Sequence, residues 1–137
     1  MKTFFKADME TRVDAALARE AEDARRERLW NAAIDMRDGR QCRACGKRTN
    51  PDDIGLLRGH RAHIVYASAG GGVEPNNRVT LCPECHQAEH RNWLRFSVDG
   101  RTDGVDANGA MEFWRKDREG RWYLSHRELA PHVIARD

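Results

Sequence analysis

Two CxxC pairs constrain this chain more strongly than any other feature. The first pair is Cys42 and Cys45, the second is Cys82 and Cys85, and the chain has no further cysteine. A CxxC turn presents two sulfurs to one tetrahedral ion, so two such pairs in an intracellular protein are typical zinc ligands. No apolar segment typical of export occurs in the N-terminal residues MKTFFKADME, which disfavours disulfides. We therefore expect one structural Zn²⁺ bound by all four thiolates, with a redox pair or disulfides as the alternatives.

The composition limits the core that this chain can build. Of its 137 residues, 34% are charged and 39% are hydrophobic, so we expect a single small domain stapled by metal. No apolar run approaches the length of a membrane span, and we expect no membrane partner. The net charge is only +2, but residues 40–95 hold nine Lys/Arg against five Asp/Glu. That segment therefore has a modest electrostatic preference for a polyanion.

The hydrophobic pattern divides the chain into three parts. We predict a helical arm at 1–39, a zinc-braced unit at 40–95 and a β-rich extension at 96–137. The predicted helices are 8–38 and 83–93, and the predicted strands are 56–65, 78–81, 94–98, 111–116 and 121–125. The central unit thus has the order strand, glycine-rich loop, strand, helix.

The N-terminal helix is expected to be amphipathic. Its apolar residues recur at steps of three and four, and they include Met9, Val13, Leu17 and Ile34. This pattern favours packing on the domain, self-association into a homodimer, or contact with a partner protein. Binding of DNA through the neighbouring arginines 25, 26 and 28 is an alternative, although acidic residues lie among them.

Two histidines on the second predicted helix indicate another metal site. His86 and His90 are four residues apart, so their imidazoles project from one helix face and can bind one cation. A surface pair or additional zinc ligands are the plainer interpretations. Asn77 lies at the start of the strand that leads into this helix, and His63 lies near the end of the preceding strand.

Several of these motifs together resemble an HNH endonuclease. They are His60-Arg61-Ala62-His63-Ile64-Val65, Gly70-Gly71, Asn77-Arg78-Val79-Thr80-Leu81-Cys82, and Cys85-His86 with His90. The resemblance extends over 40–91 and implies an α+β fold. It implies a ββα-metal unit braced by a four-cysteine zinc site, with the long N-terminal helix and a C-terminal β-hairpin added to it. It also implies a cytoplasmic protein of a bacterial or phage-infected cell.

The same resemblance implies roles for individual residues. His63 would be the general base that takes a proton from the attacking water, and Asn77 would hold that imidazole or its loop. His86 and His90 would hold a catalytic divalent cation, Mg²⁺, Mn²⁺, Ni²⁺ or Zn²⁺. The substrate would be DNA, double-stranded, with its backbone positioned by Arg58, Arg61, Arg78 and Arg91.

Ala62 departs from the family pattern. The residue before the general base is usually an Asp or His that binds the metal, and a methyl group cannot do so. His60 lies on the same side of the strand and would substitute as a ligand, displaced by about 6–7 Å. Alternatively, His86 and His90 suffice with water and phosphate oxygens. As a further alternative, the chain is a catalytically inactive zinc-containing module that binds DNA or serves as a scaffold.

Overall fold

A pair of short antiparallel strands followed by a helix forms the centre of the molecule. The computed structural model describes residues 2–50, 52 and 58–130, with side chains from residue 8 onward. The elements, in chain order, are α1 (Lys2–Asp38), β1 (His60–His63), β2 (Arg78–Leu81), α2 (Pro83–His90), β3 (Leu94–Ser97), β4 (Glu112–Lys116) and β5 (Trp122–Arg127). The predicted strand–loop–strand–helix order is confirmed. Positions 56 and 57 of the first predicted strand and 131–137 of the predicted extension lie outside the described residues.

The strand pair contacts a different helix on each face. In the register of β1 and β2, Ala62 pairs with Val79 and His63 pairs with Arg78. Ala62 and Val79 are buried in one apolar cluster with Cys85 of α2. On the other face, Arg61 donates to Asp35 of α1. Because side chains alternate along a strand, His63 is on the face of Arg61, and His60 is on the face of Ala62.

A buried ionic group attaches the end of α1 to β2. Arg37 and Asp38 form an ion pair of 2.8 Å in which neither side chain is exposed. Asp38 also accepts a hydrogen bond from the Thr80 amide at 3.0 Å, and Arg37 donates to the carbonyl oxygen of Arg78 at 2.6 Å. Gly39 follows with φ = +64° and ends the helix, as its position predicts. These bonds fix the end of α1 relative to the central strands.

Apolar residues 9–17 of α1 do not pack on the domain, which is one of the arrangements that the apolar pattern favours. Ile34 is fully buried, whereas Met9, Val13 and Leu17 are 50–57% exposed. The helix contacts β2 and the turn before it, through residues that include Asn31, Arg37 and Asp38. Within the described part of the chain, no helix is long and apolar enough to cross a membrane.

The C-terminal region is a three-stranded antiparallel sheet of order β3-β4-β5. The predicted hairpin corresponds to β4 and β5, and β3 adds a third strand that crosses the proposed boundary between 95 and 96. Phe113 is fully buried and joins Leu94 and Phe96 in the same apolar cluster as the central strands. The fold is thus α+β, with the long helix, the antiparallel sheets and the cysteine cluster that the sequence predicts.

Candidate active site

The four cysteines converge in space as a metal site requires. All four Sγ atoms lie within 4.8 Å of one another. The Sγ atoms of Cys45 and Cys82 are 3.8 Å apart. Tetrahedral zinc with Zn–S bonds of about 2.3 Å separates its sulfurs by about 3.8 Å, so this donor set fits Zn²⁺. The four side chains form no disulfide.

Local turns aim the thiols at this common centre. In the first knuckle, the Gly46 amide donates to the Cys42 carbonyl oxygen at 2.7 Å, and Gly46 has φ = +80°. In the second knuckle, Cys82 caps the N-terminus of α2, and its sulfur accepts from the Cys85 amide at 3.5 Å. The Arg43 amide donates to the Thr80 carbonyl oxygen at 3.0 Å, which joins the two knuckles. The strand pair therefore returns the chain so that both CxxC turns meet.

Arg115 is part of this site, and sequence reasoning did not identify it. Its Nη2 atom donates to the Cys85 sulfur at 3.1 Å from β4. Hydrogen bonds from Cys42 and from Arg115 lower the pKa of Cys85 to about 5, against the effect of burial. The thiolate form that binds metal is thereby favoured. The two residues are thirty positions apart, and no local motif connects them.

The ring nitrogens of His86 and His90 lie close together on α2. Their Nε2 atoms lie 3.0 Å apart across one turn of α2. Two nitrogens bound to one ion at about 2.0–2.1 Å are separated by about 2.9–3.4 Å, so the pair fits a divalent cation. Burial, followed by the neighbouring His60, His90 and His63, lowers the pKa of His86 to about 4. His86 is therefore neutral and able to coordinate metal at physiological pH.

His60 lies beside this pair. Its ring centroid is 4.7 Å from that of His86. Burial and the nearby charge of Arg58 lower the pKa of His60, which keeps this imidazole neutral as well. Among the described residues, the cysteines are the group that brings three or more ligand atoms within 4.8 Å of each other. His60 therefore lies in contact with His86 without completing a preformed three-ligand set.

Asn77 organises the loop between β1 and β2. Its Oδ1 accepts from the Val65 amide at 2.9 Å, and its Nδ2 donates to the carbonyl oxygens of Val65 and Gly72 at 3.0 and 2.9 Å. Gly71 is required nearby, because a Cβ there would overlap the Val65 carbonyl oxygen. The amide of Asn77 thus closes the loop that directly follows His63.

His63 and Ala62 end the first strand with different surroundings. His63 is partly exposed, on the face of β1 that also carries Arg61. Ala62 is only 2% exposed and belongs to the apolar core. The position at which the resemblance implies a metal ligand is therefore occupied by the buried methyl group of Ala62, and the adjacent His63 remains partly exposed.

The four arginines considered for DNA contact have unequal surroundings. Arg61 forms a two-bond ion pair with Asp35, at 3.0 and 2.7 Å. Arg78 is buried, at 5% exposure, and donates to Asn31 at 2.5 Å. We therefore assign Arg61 and Arg78 to the packing of α1. Arg58 and Arg91 are exposed.

Comparisons with known proteins connect this geometry to a family. Residues 42–92 match the family model described as HNH endonuclease, and this segment contains the cysteines, His60, His63, Asn77 and the histidine pair. The chain is also 36% identical over 36 residues to Anaredoxin from Nostoc sp. (strain PCC 7120 / SAG 25.82 / UTEX 2576). That alignment covers 26% of this chain and 47% of Anaredoxin, so the chain spans less than half of that protein's length. No solved structure matches the chain significantly. Residues 42–92 are therefore similar to HNH endonucleases, and the match covers this segment of the chain.

Proposed function

We propose that this protein is a metal-dependent endonuclease that hydrolyses phosphodiester bonds in double-stranded DNA. The observation that carries the proposal is the pair of Nε2 atoms, 3.0 Å apart on α2, within a domain that matches HNH endonucleases. The match of residues 42–92 to HNH endonucleases supports a nuclease-type domain. The substrate, the metal and the residue roles are our proposal.

The chain's own residues divide the work of hydrolysis. His63 takes the proton from the attacking water, because an imidazole accepts protons readily near neutral pH. Asn77 fixes the loop after His63 and so limits where this base can point. The exposed guanidinium groups of Arg58 and Arg91 contact the DNA backbone without reading its sequence.

The catalytic metal would be held by His86 and His90, with His60 as the substitute for the missing ligand at Ala62. When bound, a divalent ion there supplies charge that polarises the scissile phosphate and stabilises the leaving 3′-oxygen. The products are 5′-phosphate and 3′-hydroxyl ends. Zinc in the four-cysteine site has a separate role, because four thiolates leave no open coordination position.

A plasmid-nicking assay with Mg²⁺, Mn²⁺, Ni²⁺ or Zn²⁺ tests this function. We expect conversion of supercoiled to nicked DNA by the natural chain and its loss in His63→Ala. His126→Ala is the matched control, since this exposed histidine lies on β5 in the C-terminal sheet. Nicking that persists in His63→Ala would contradict the assigned base.

The buried Ala62 favours a second candidate, a zinc-containing module that binds DNA or serves as a scaffold without cutting. This candidate predicts DNA binding at low salt and no nicking with any of the four metals. A third candidate, a protein-interaction module, predicts no DNA binding even at low salt, where a basic nuclease surface binds measurably. A salt series of gel-shift measurements separates these candidates.

The exposed residues of α1 also support a proposal about partners. Met9, Val13 and Leu17 form an apolar stripe that the described part of the domain does not cover. We propose that this stripe mediates self-association or contact with a partner protein. Sedimentation of the natural chain and of a Val13→Glu/Leu17→Glu variant tests self-association, which predicts a smaller species for the variant.

A further inference from the structure

A buried carboxylate lies beside the histidine pair. The side chain of Glu89 on α2 is 9% exposed, and it accepts a hydrogen bond at Oε1 from the Tyr66 hydroxyl at 2.6 Å. Its second oxygen, Oε2, is buried and has no hydrogen-bond partner among the described residues. Leaving such an oxygen without a partner is costly, so a carboxylate in this position requires an explanation.

The position of the unpartnered oxygen points to the metal. Oε2 of Glu89 lies 3.9 Å from Nε2 of His90. The same His90 nitrogen lies 3.0 Å from Nε2 of His86. A carboxylate that only oriented a metal-binding imidazole would contact its other ring nitrogen, Nδ1. Glu89 instead approaches the nitrogen that faces the proposed ion.

We propose that Glu89 is a further protein ligand of the catalytic divalent cation, beside His86, His90 and the substitute His60, an inference that rests on the proposed histidine site. Among the described residues, the cysteines are the group that holds three ligand atoms within 4.8 Å of one another, so Glu89 has to turn toward both histidines when the ion binds. Neighbouring ligand atoms around one ion are separated by about 3–3.4 Å, which Oε2 reaches at His90 by moving about half an ångström. The carboxylate supplies a negative oxygen ligand, which Ala62 does not provide. Oxygen ligands favour Mg²⁺ and Mn²⁺ over the metals preferred by imidazole alone.

Tyr66 contacts both Glu89 and His90 and so fixes the orientation of the Glu89 carboxylate. Its ring stacks on His90 with centroids 5.6 Å apart and planes within 3°. Its hydroxyl donates to Oε1 of Glu89, which leaves Oε2 as the carboxylate oxygen that can bind the ion.

The Glu89 and His90 side chains also border open space. A surface depression of about 410 Å³ is lined by both Glu89 and His90, together with Tyr66 and the exposed Arg95. Because Oε2 itself is buried, an ion that enters this depression contacts it once the carboxylate turns toward the histidines. The arginine would favour an anionic substrate next to the metal.

Direct titration of Mn²⁺ into the zinc-loaded full chain, followed by calorimetry and by electron paramagnetic resonance, tests this assignment. For Glu89→Gln we expect Mn²⁺ affinity to fall by at least about tenfold, because the substitution removes a charged ligand and preserves its shape. Ni²⁺ affinity is expected to fall less, since imidazole ligands suit Ni²⁺. Glu84→Gln is the matched control on the exposed side of α2 and is expected to bind Mn²⁺ like the natural chain.

Three outcomes distinguish this inference from the proposed function. Unchanged Mn²⁺ affinity in Glu89→Gln, with loss in His90→Ala, overturns the role of Glu89 and leaves the histidine site standing. Absence of Mn²⁺ binding in the natural chain overturns both. If circular dichroism shows that Glu89→Gln does not fold, Tyr66→Phe is used in its place. Tyr66→Phe removes the hydrogen bond to Oε1, so we expect Mn²⁺ binding to weaken several-fold. Unchanged Mn²⁺ affinity in Tyr66→Phe overturns the proposal.

Discussion

Ala62 lies directly opposite Val79 in the β1–β2 pair, and both side chains are almost completely buried. This pairing places the methyl group of Ala62 in the cluster that also contains Cys85. The adjacent His63 is partly exposed, and His60 and His63 are both among the groups that lower the pKa of His86 on α2. The strand thus brings the proposed base and a candidate ligand near the same histidine of α2.

The burial of Ala62 predicts that restoring a ligand there is costly. Ala62→His is expected to lower the free energy of unfolding by about 1–3 kcal/mol, because a larger polar ring has to enter a packed core. Urea unfolding of the zinc-loaded protein measures this change. Ala67→His, at an exposed position, is the control and is expected to change stability by less than about 0.5 kcal/mol. Equal stability of the two variants would contradict the assigned burial.

The two proposed metal sites are expected to respond separately to substitution. His86→Ala or His90→Ala removes one nitrogen of the pair, so we expect loss of nicking and weaker Mn²⁺ binding by about tenfold or more. Elemental analysis is expected to find about one zinc per chain in both variants, since the four thiolates are unchanged. Gln87→Ala, at the exposed position following His86, serves as the control. Loss of zinc in either variant would show that the sites are not independent.

Local patterns predicted the parts of this site that depend on local geometry. His86 and His90 share a face because an α-helix places residues that are four apart on the same side. The CxxC spacing likewise places two sulfurs of one turn where they can bind the same ion. The positions of Arg61 and Arg78 were not predictable in this way. Their partners belong to α1, and how a helix docks on a sheet depends on distant contacts such as that between Asp38 and Thr80. The exposure of Met9, Val13 and Leu17 on α1 was not predictable either, because periodicity shows an apolar face without showing what covers it.

Arg115 is expected to strengthen zinc binding through its bond to Cys85. Removing an outer hydrogen bond to a metal ligand commonly lowers affinity by about 10–100-fold. We therefore expect Arg115→Ala to release zinc to a competing chelator at lower chelator concentration than the natural chain does. Arg121→Ala is the control, because that side chain is 77% exposed. Identical zinc release by the two variants would rule out this contribution.

Asn77 is expected to control the loop that follows His63, the proposed general base. Asn77→Asp replaces an amide that donates to two carbonyl oxygens with a carboxylate that repels them. We expect a loss of about 1–3 kcal/mol in the free energy of unfolding and faster hydrogen exchange at the Val65 amide. Asn76→Asp is the matched control, since its side chain is exposed. If exchange at Val65 were unchanged in Asn77→Asp, Asn77 would not be what closes the loop.

The stability that Glu112 gives to the C-terminal sheet is expected to depend on pH. Hydrogen bonds from the Gly100 amide, the Ser97 hydroxyl and Arg127 lower the pKa of this carboxyl group below its usual range. A lowered pKa in the folded state means that Glu112 contributes stability above its unfolded pKa of about 4.3, and that this contribution disappears as the pH falls through the folded value. Glu112→Gln is therefore expected to be less stable than the natural chain at pH 6, with the difference shrinking below about pH 4. Urea unfolding of both proteins across this range measures the difference, and because both retain the same zinc site, zinc loss in acid affects them equally. A difference that stays constant with pH would show that Glu112 acts through packing rather than through its charge.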